Sequence, residues 1–411
     1  MGFGPVRRRY ELGGTRMHYG KIVCGSLLGV AALTTPALAQ ETRSVQFGVQ
    51  ATVVHDSNVA RSDAATAAIR GIQREDTIFS PAITADVLLP LSRQSLFLRG
   101  SAGYDFHDKN TQLDSENLDL QGGLNLRFGP CEGQLAAAFN HGQANVQTVT
   151  LVASENAIES STIGGTVGCT RGTGLGVTAA AHKTWSENSN AVVFQNDSET
   201  WDATVGMTYS RPALGTLTVY AGYADTEYPN RILPTSASGY QSTTLGVSFE
   251  RRISSRLQGV ISYGYTTVET DSLVPDSDFE GSTWDVALTY RPTERMRVEV
   301  SMGRAVMPAS SIGGLYTIAT SYRFAGDYDL GSRIALSLGT EFVDNETDGS
   351  FAAVFPVLTD SQSYAVFGGV TFAQSERIRW SLTARYEDRD ANAPQYTYDR
   401  TVVALAAGVA F

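Results

Sequence analysis

The final stretch of the chain, Thr401–Phe411, reads TVVALAAGVAF and decides the fold. Alternate side chains of an extended strand point the same way. One face of this strand is therefore apolar and ends on an aromatic ring: Val403, Leu405, Ala407, Val409 and Phe411. A terminal strand leaves an apolar face and an unpaired edge, and only closure into a barrel removes the edge. We expect the first strand, Val45–Val53, to pair with it.

The composition indicates that strands, rather than helices, would meet a membrane. The chain has 411 residues, with 40 Gly, 18 Tyr and 3 Cys, and its mean hydropathy lies slightly below zero. Beyond the leader, no run of about 18 or more apolar residues occurs, which is the length a membrane helix needs. Without the leader, 26 basic residues stand against 41 acidic ones. This acidic balance argues against a nucleic-acid partner.

The N-terminus predicts a Sec signal peptide over residues 1–39 and a single barrel domain over residues 40–411. A basic residue precedes the apolar run Ile22–Leu33, and Ala37–Ala39 forms a small-residue cleavage site. The run is too short for a membrane helix. Met17 lies much closer to this run than the first Met does, so Met17 is an alternative start.

Strand-sized alternating segments fill the rest of the chain. After Val45–Val53, the same pattern returns at Leu118–Phe128, Trp284–Tyr290, Met296–Met302 and Ile378–Tyr386. An apolar face opposite a polar face is typical of a membrane barrel wall and of a soluble antiparallel sheet. The spacing favours the barrel, because short turns recur every 34 to 49 residues with two strands and one longer polar loop between them.

Nine long loops and eight short turns, one of them at Ala325–Asp327, predict eighteen strands. The count would be sixteen if the two strands of one predicted hairpin belong to a loop and not to the barrel wall. The predicted fold is an all-β, transmembrane, antiparallel up-and-down β-barrel with short periplasmic turns and long extracellular loops. The loop Asp56–Asp76 is long enough to fold inward and narrow a pore, and its Ala-rich middle, Ala64–Ile69, predicts a helical turn.

The chain resembles the bacterial outer-membrane β-barrel porins of the type-2 group. The resemblance rests on the strand rhythm of the whole mature chain, on the terminal Phe411, and on a first strand followed by an Asp-x-Asn turn within Val53–Val59. It implies the outer membrane of a Gram-negative bacterium, with Phe411 in the signal that the barrel assembly machinery reads. Family members often accompany exopolysaccharide export, which implies partners among polysaccharide export components.

Cys131 and Cys169 form a candidate disulfide. Cys131 opens one strand after a short turn and Cys169 ends the next strand before another, so an antiparallel hairpin places both at the periplasmic rim, on the outward face. The periplasm is oxidising, and a bridge forms there if the two Cβ atoms come within reach. Two free thiols are the alternative.

Six arginines on or beside the polar strand faces, near the short turns, are candidate lumen-lining residues: Arg127, Arg291, Arg323, Arg333, Arg377 and Arg379. Rings of Arg in a lumen favour anions. In the alternative interpretation, these arginines pair with carboxylates on neighbouring strands and simply fill the wall. The candidate carboxylates are Glu250, Glu299, Glu341 and Asp86.

Motifs for metal binding and catalysis are weak. Asp344–Gly349 resembles the first half of an EF-hand loop, but Phe355 occupies the twelfth position, where a Glu is needed. Four histidines fall toward the loop ends of strands, close enough in the predicted topology to meet: His55, His107, His141 and His182. No nucleophile motif stands beside them. We predict no catalytic residues, no cofactor and no metal site, and therefore no enzyme.

Two classes of function compete at this point. The first is a conduit, in which a wide barrel passes small solutes passively or assists the export of a surface exopolysaccharide. The alternative is a non-conducting structural or docking barrel of an envelope assembly. In both, the predicted partners are outer-membrane lipid, lipopolysaccharide and the barrel assembly machinery.

Overall fold

The computed structural model describes residues 43–143, 156–170, 173–191, 193–231, 238–271, 278–309, 314–348 and 358–411. The predicted leader, residues 1–39, lies outside these ranges. Within them, no helix is long and apolar enough to cross a membrane.

The described residues form eighteen strands and a short helix, α1 (Ala64–Ile69). The strands are β1 Ser44–Asp56, β2 Asp76–Leu91, β3 Gln94–His107, β4 Ser115–Phe128, β5 Cys131–Gln143, β6 Ala157–Cys169, β7 Gly174–Asn188, β8 Ser198–Arg211, β9 Gly215–Glu227, β10 Gly239–Arg252, β11 Leu257–Thr270, β12 Phe279–Thr293, β13 Met296–Pro308, β14 Tyr316–Asp329, β15 Ile334–Asp348, β16 Asp360–Ala373, β17 Ile378–Ala391 and β18 Tyr398–Ala410. Neighbours in the chain pair antiparallel, and β1 pairs with both β2 and β18. The closed eighteen-strand barrel is confirmed, and the sixteen-strand alternative is excluded.

Apolar side chains cover the outside of this wall. In β18, Leu405 points outward and is 49% exposed, whereas its neighbour Ala406 points inward and is 1% exposed. The same alternation holds in β1, where Phe47 is exposed and Thr52 is buried. A soluble sheet would bury its large apolar side chains, so an exposed apolar belt is the pattern of a wall that faces lipid.

The closing strand meets the first strand as the sequence predicts. Pairing across this seam runs from Gly48 opposite Ala410 to Asp56 opposite Val402. The N–H of Phe411 donates to the carbonyl of Phe47 at 2.8 Å, one residue beyond the last strand pair. The edge that looked uncovered in the sequence is therefore paired with β1 from Val402 to Phe411.

The turn predicted at Ala325–Asp327 is wrong. β14 runs through these residues, and the chain turns at residues 330–333 instead. Gly and Asp are frequent in turns, which explains the error. In the barrel, Tyr328 lies opposite Met296 of β13 and opposite Leu336 of β15, so pairing on both sides continues past the Gly-Asp pair.

Candidate functional site

The inward face of the wall forms the candidate functional site, the barrel lumen. The six predicted arginines divide into two groups. Three lie on the inward register of strands: Arg127 in β4, Arg323 in β14 and Arg379 in β17. Three lie at or beside the short connections: Arg291, Arg333 and Arg377. Because β14 is longer than predicted, Arg323 lies at mid-height rather than near the periplasmic end.

Two of these arginines have carboxylate partners. Arg127 Nε lies 3.2 Å from Glu132 Oε1, and Arg323 Nη1 lies 3.6 Å from Glu341 Oε2. The other four form no ion pair with any part of the chain that the structure describes. The lumen arginines are thus partly neutralised, as in the wall-filling interpretation, and partly available to solutes.

Other carboxylates named as alternative partners pair elsewhere. Asp86 Oδ2 lies 3.5 Å from Arg99 Nε, and Glu299 pairs with Arg297 of its own strand. A further inward carboxylate, Asp285, lies on β12, two strands away from β14 and its Arg323. The lumen is therefore mixed in charge rather than a uniform ring of arginines.

A cluster of charged and aromatic side chains lies at mid-height on β14 to β17. Arg385 Nη1 lies 3.2 Å from Glu341 Oε2, and Arg385 Nε lies 3.1 Å from Glu387 Oε2. The guanidinium groups of Arg323 and Arg385 lie 4.5 and 5.9 Å from the ring centroid of Phe367. The side chains of Arg323 and Arg385 are 46% and 34% exposed. Because they point inward, this exposure is to the lumen.

Sequence reasoning missed this cluster as a site. The alternation in β17 does place Arg385 on the inward face, but nothing local marks it as the partner of Glu341 or Phe367. Cross-strand pairing joins them, since Phe367 lies opposite both Arg385 and Gly339. Gly339 makes room for the ring, because a Cβ at this position would overlap it. The signal that could have found the cluster is an inward aromatic residue beside an inward Gly.

The loop between β1 and β2, residues 57–75, folds against the lumen side of the wall. Its predicted helical turn is confirmed as α1, which begins where Asp63 accepts the N–H of Thr66 at 2.6 Å. This hydrogen bond lowers the pKa of Asp63. Apolar residues of the loop pack with Leu113 and with Ile78, an inward residue of β2. The loop therefore narrows the extracellular mouth.

Arg61 of the same loop lies near charged groups on the other side of the seam. It adopts a left-handed backbone with φ 46°, which costs a residue with a side chain on the order of 1 kcal/mol or more. Burial of its guanidinium group lowers the pKa of Arg61 to about 10, and the charges that act on it belong to Arg400, Glu387 and Asp56. These three side chains lie on the inward registers of β18, β17 and β1.

The Asp-x-Asn turn after β1 joins this loop to the last strand. Asp56 Oδ1 accepts the N–H of Asn58 at 2.9 Å, and Asn58 Nδ2 donates to the carbonyl of Asp399 at 3.2 Å. Arg400 donates from Nε and Nη2 to both carboxylate oxygens of Asp56, at 2.6 to 3.0 Å. The motif that carries the family resemblance is thus a clamp across the barrel seam.

The loop after β9 holds the end of the β13–β14 hairpin. The hydroxyl of Tyr228 donates to the carbonyl of Leu315 at 2.5 Å and accepts the N–H of Ala309 at 3.1 Å. Arg231 donates to the carbonyl of Gly314 and lies 3.7 Å from the centroid of the Tyr228 ring. Burial raises the pKa of Tyr228 to about 12 and lowers the pKa of Arg231.

An apolar cluster places this hairpin end on the lumen side. Tyr240 and Val268 lie on the inward registers of β10 and β11, and both belong to a buried apolar cluster that also contains Tyr228, Leu315 and Tyr316. The ring centroids of Tyr240 and Tyr316 are 5.7 Å apart. A second loop assembly therefore covers part of the extracellular mouth.

The weak metal and histidine motifs do not assemble. Residues Asp344–Asp348 belong to β15 instead of a loop, and Gly349 and Phe355 lie outside the described residues. His55 and His141 point outward. His107 and His182 point inward, and each lies beside a different aspartate: His107 beside Asp114, and His182 beside Asp202. In the described ranges, no three His, Cys, Asp or Glu residues form a group that could hold a metal.

Cys131 and Cys169 are direct cross-strand partners in β5 and β6. Their Cα atoms are 3.9 Å apart, and a disulfide joins their Sγ atoms in the structure. Both lie on the outward register at the short-turn end. Formation of the bond in the periplasm stays a prediction.

The family model described as Putative beta-barrel porin 2 matches residues 45–411. The match covers most of the chain, so the chain belongs to this family of β-barrel porins. Membership in a porin family and a closed barrel with an apolar outer belt imply the bacterial outer membrane and a channel class rather than an enzyme class.

Solved structures with barrels similar to this chain include three bacterial outer-membrane proteins. OccK2 (OpdF) of Pseudomonas aeruginosa has a TM-score of 0.47 and 10% identity, with 90% of this chain and 98% of that chain covered. A BenF-like porin from Pseudomonas fluorescens Pf-5 has a TM-score of 0.47 and 10% identity, with 90% and 99% covered. OccAB3 of Acinetobacter baumannii has a TM-score of 0.46 and 8% identity, with 90% and 99% covered. No curated protein matches the chain.

Proposed function

We propose that the protein is an outer-membrane channel for the passive passage of small polar solutes. The observation that carries this proposal is the exposure of Arg323 and Arg385 toward the interior at mid-height. A lumen filled at this level would bury both guanidinium groups. Charged groups that stay accessible inside a closed wall are instead suited to contact hydrated solutes as they pass.

The arginines give this channel a modest preference for anions. Ion pairs neutralise Arg127 and Arg323, whereas Arg379 lies inward near the periplasmic mouth and carries a charge that no described carboxylate pairs. An unpaired charge on the wall of a lumen raises the local concentration of counter-ions. Arg379, with Arg377 beside it in the turn, is therefore the group that sets the preference.

Planar-bilayer recording tests the conduit. The purified protein should give discrete conductance steps, and a salt gradient should give a reversal potential on the anion side. Arg379→Gln should shift the reversal potential toward cations, and adding Arg377→Gln should enlarge the shift. Arg251→Gln is the matched control, because it removes the same charge from the outward register of β10. This control should leave the reversal potential unchanged.

A docking barrel is the second candidate, favoured by the two loop assemblies that cover the extracellular mouth. In that case the barrel is a structural part of an envelope assembly and its lumen is closed from the outside. Protein that is fully inserted, judged by its heat-modifiable mobility, and yet electrically silent would contradict the conduit and support this candidate.

Assistance in exopolysaccharide export is a finer version of the conduit, supported by the family resemblance. Export would need polysaccharide export components as partners at the periplasmic mouth. Deletion of the gene should then remove surface polymer while polymer or its precursors stay inside the cell. An unchanged envelope would eliminate this version and leave small-solute passage. In every version, lipopolysaccharide surrounds the barrel and the assembly machinery inserts it through the strand that ends at Phe411.

A further inference from the structure

Three neighbouring short turns at the periplasmic end of the wall form one basic surface, which we call the arginine platform. The turns join β8 to β9, β10 to β11 and β12 to β13. Six exposed arginines lie in these turns or near the adjoining strand ends: Arg211, Arg251, Arg252, Arg256, Arg291 and Arg295. Residues 211–215, 250–257 and 290–296 contain two carboxylates, Glu250 and Glu294. The platform is therefore basic, although the chain as a whole has a formal net charge of −11.

Hydrogen bonds join the three turns of the platform to one another. Arg251 Nη2 donates to the carbonyl of Ala213 at 3.3 Å, which links the second turn to the first. The N–H of Arg291 donates to the carbonyl of Arg256 at 2.7 Å, which links the third turn to the second. The strands from β8 to β13 end here, and a spacing of about 4.8 Å between neighbours makes the platform about 24 Å wide. It is therefore one continuous surface.

Ion pairs within the described chain do not use the charges of the platform. At the same end of the wall, Arg127 pairs with Glu132 and Arg297 pairs with Glu299. By contrast, no described carboxylate lies within ion-pair distance of a platform arginine. Guanidinium groups donate to carboxylates in a geometry that suits both oxygens. The exposed groups of the platform are therefore available to an acidic partner.

The directions of the arginines distinguish a partner below the wall from lipid around it. Arg211 and Arg251 lie on the outward registers of β8 and β10, where lipid phosphates can reach them. Arg252 lies on the inward register of β10, and Arg256 and Arg295 lie in the turns themselves. A molecule that covers the turns from the periplasm reaches these three, whereas a lipid beside the wall does not.

Two exposed aliphatic side chains lie among these arginines. Leu214, in the first turn, is 49% exposed, and Ile253, in the second turn, is 57% exposed. Protein interfaces combine apolar contacts with arginine side chains. An anionic polysaccharide carries carboxylates but offers little apolar surface to a Leu or an Ile. The mixture of aliphatic and guanidinium groups therefore favours a protein segment.

We propose that the arginine platform docks an acidic segment of a periplasmic protein. An extended segment of about seven residues spans the platform, because each residue of a strand covers about 3.3 Å. Its carboxylates pair with Arg252, Arg256 and Arg295, and an apolar side chain of the segment packs on Leu214 and Ile253. A contact this small binds weakly and becomes weaker as the salt concentration rises. The inference does not depend on solute passage, because the platform lies on the turns of a conducting and of a closed barrel alike.

Fluorescence anisotropy with the purified full-length mature barrel tests the proposal. The probe is a labelled, extended peptide of Asp and Glu with one central Leu. Arg256→Gln with Arg295→Gln should weaken its binding about tenfold. The matched control, Arg93→Gln with Arg333→Gln, removes two exposed arginines from other short turns of the same rim and should bind like the parent protein. No binding by the parent protein, or an equal loss in both double variants, would overturn the platform.

Two further measurements identify the occupant, with heat-modifiable mobility as the check that each variant is assembled. Leu214→Ser with Ile253→Ser should weaken binding of the Leu-containing peptide about fivefold and leave binding of a Leu-free acidic peptide unchanged. Equal binding of the Leu-containing peptide by this variant and the parent protein would overturn the apolar contact. Polygalacturonate or phosphatidylglycerol that displaces the peptide at an equal concentration of negative charge would overturn the assignment to a protein, in favour of a polysaccharide or a lipid.

Discussion

At the scale of single residues, Asp56 and Arg400 contribute more to closure of the barrel than their positions in the sequence indicate. Their side chains are 2% and 15% exposed, and their bidentate contact crosses from the first strand to the last. The Asp-x-Asn motif predicted a turn, and the turn exists. The second role of Asp56, as the hydrogen-bond acceptor for an arginine 344 positions away, has no local signal in the sequence.

Arg400→Gln should lower the free energy of unfolding by about 3 kcal/mol or more, because it leaves the Asp56 carboxylate buried without a counter-charge. Urea unfolding of the barrel in lipid vesicles measures the change. The double variant Asp56→Asn with Arg400→Gln should recover much of the loss, since no uncompensated charge remains. A single variant as stable as the parent protein would contradict the clamp.

Tyr228 makes the extracellular loop assembly sensitive to alkali. Because burial raises its pKa from 10.0 to about 12, the stabilisation from the neutral hydroxyl is fully present below pH 10 and is lost as the pH rises through about 12. The difference in phenolate absorbance between the parent protein and Tyr228→Phe should titrate near pH 12. A difference curve centred near pH 10 would show that Tyr228 is not buried in solution.

At the scale of elements, alternation alone predicted the strands well, because each strand has one lipid-facing and one inward face. The count of eighteen and the helix at Ala64–Ile69 are confirmed. The error at Ala325–Asp327 arose because turn propensity is local, whereas the length of β14 is decided by its pairing with β13 and β15. Strand ends are therefore the least predictable part of the barrel.

Removal of Phe411 should lower barrel assembly more than any single change in a loop. The deletion eliminates both the terminal ring and the hydrogen bond from its N–H to Phe47. Phe411→Ala keeps the hydrogen bond and loses only the ring, so it separates the two contributions. Heat-modifiable mobility in cell envelopes measures the assembled fraction. Normal mobility of the truncated protein would contradict an assembly role for this residue.

The β5–β6 hairpin should carry a disulfide between Cys131 and Cys169. The bridge closes a loop with a sequence separation of 38 residues, and cross-links of this size commonly stabilise by about 2 to 4 kcal/mol. Peptide mapping without reductant should recover the linked pair. Complete alkylation of both thiols in the purified barrel would leave two free cysteines instead.

At the scale of the whole molecule, the chain is a closed wall with a mixed-charge lumen and a mouth narrowed by two loop assemblies. The loop with α1 docks on the first and last strands, and the Tyr228 assembly covers the wall at β10 and β11. The seam and the narrow mouth share one segment of the chain, since the loop with α1 begins at the Asp56–Asn58 turn, and Asn58 of this turn contacts the last strand.

Shortening this loop should widen the channel. Deletion of Ala64–Ile69 removes α1 and its contact with Leu113, while the clamp from Asp56 to Arg400 stays intact. Single-channel conductance in planar bilayers should rise, with unchanged heat-modifiable mobility. The same conductance with and without α1 would mean that another part of the barrel limits the flow.

The amino-acid sequence by itself determined the class of fold and the seam partners, and it favoured eighteen strands, because an alternation with a period of two can be read from neighbouring residues once one face of each strand meets lipid. The tertiary structure alone decided which inward residues meet. Arg323, Glu341, Phe367 and Arg385 come from four strands, and their contacts depend on register and strand tilt. The register and the tilt result from many backbone hydrogen bonds between residues that are far apart in the chain. No local pattern therefore encodes these contacts.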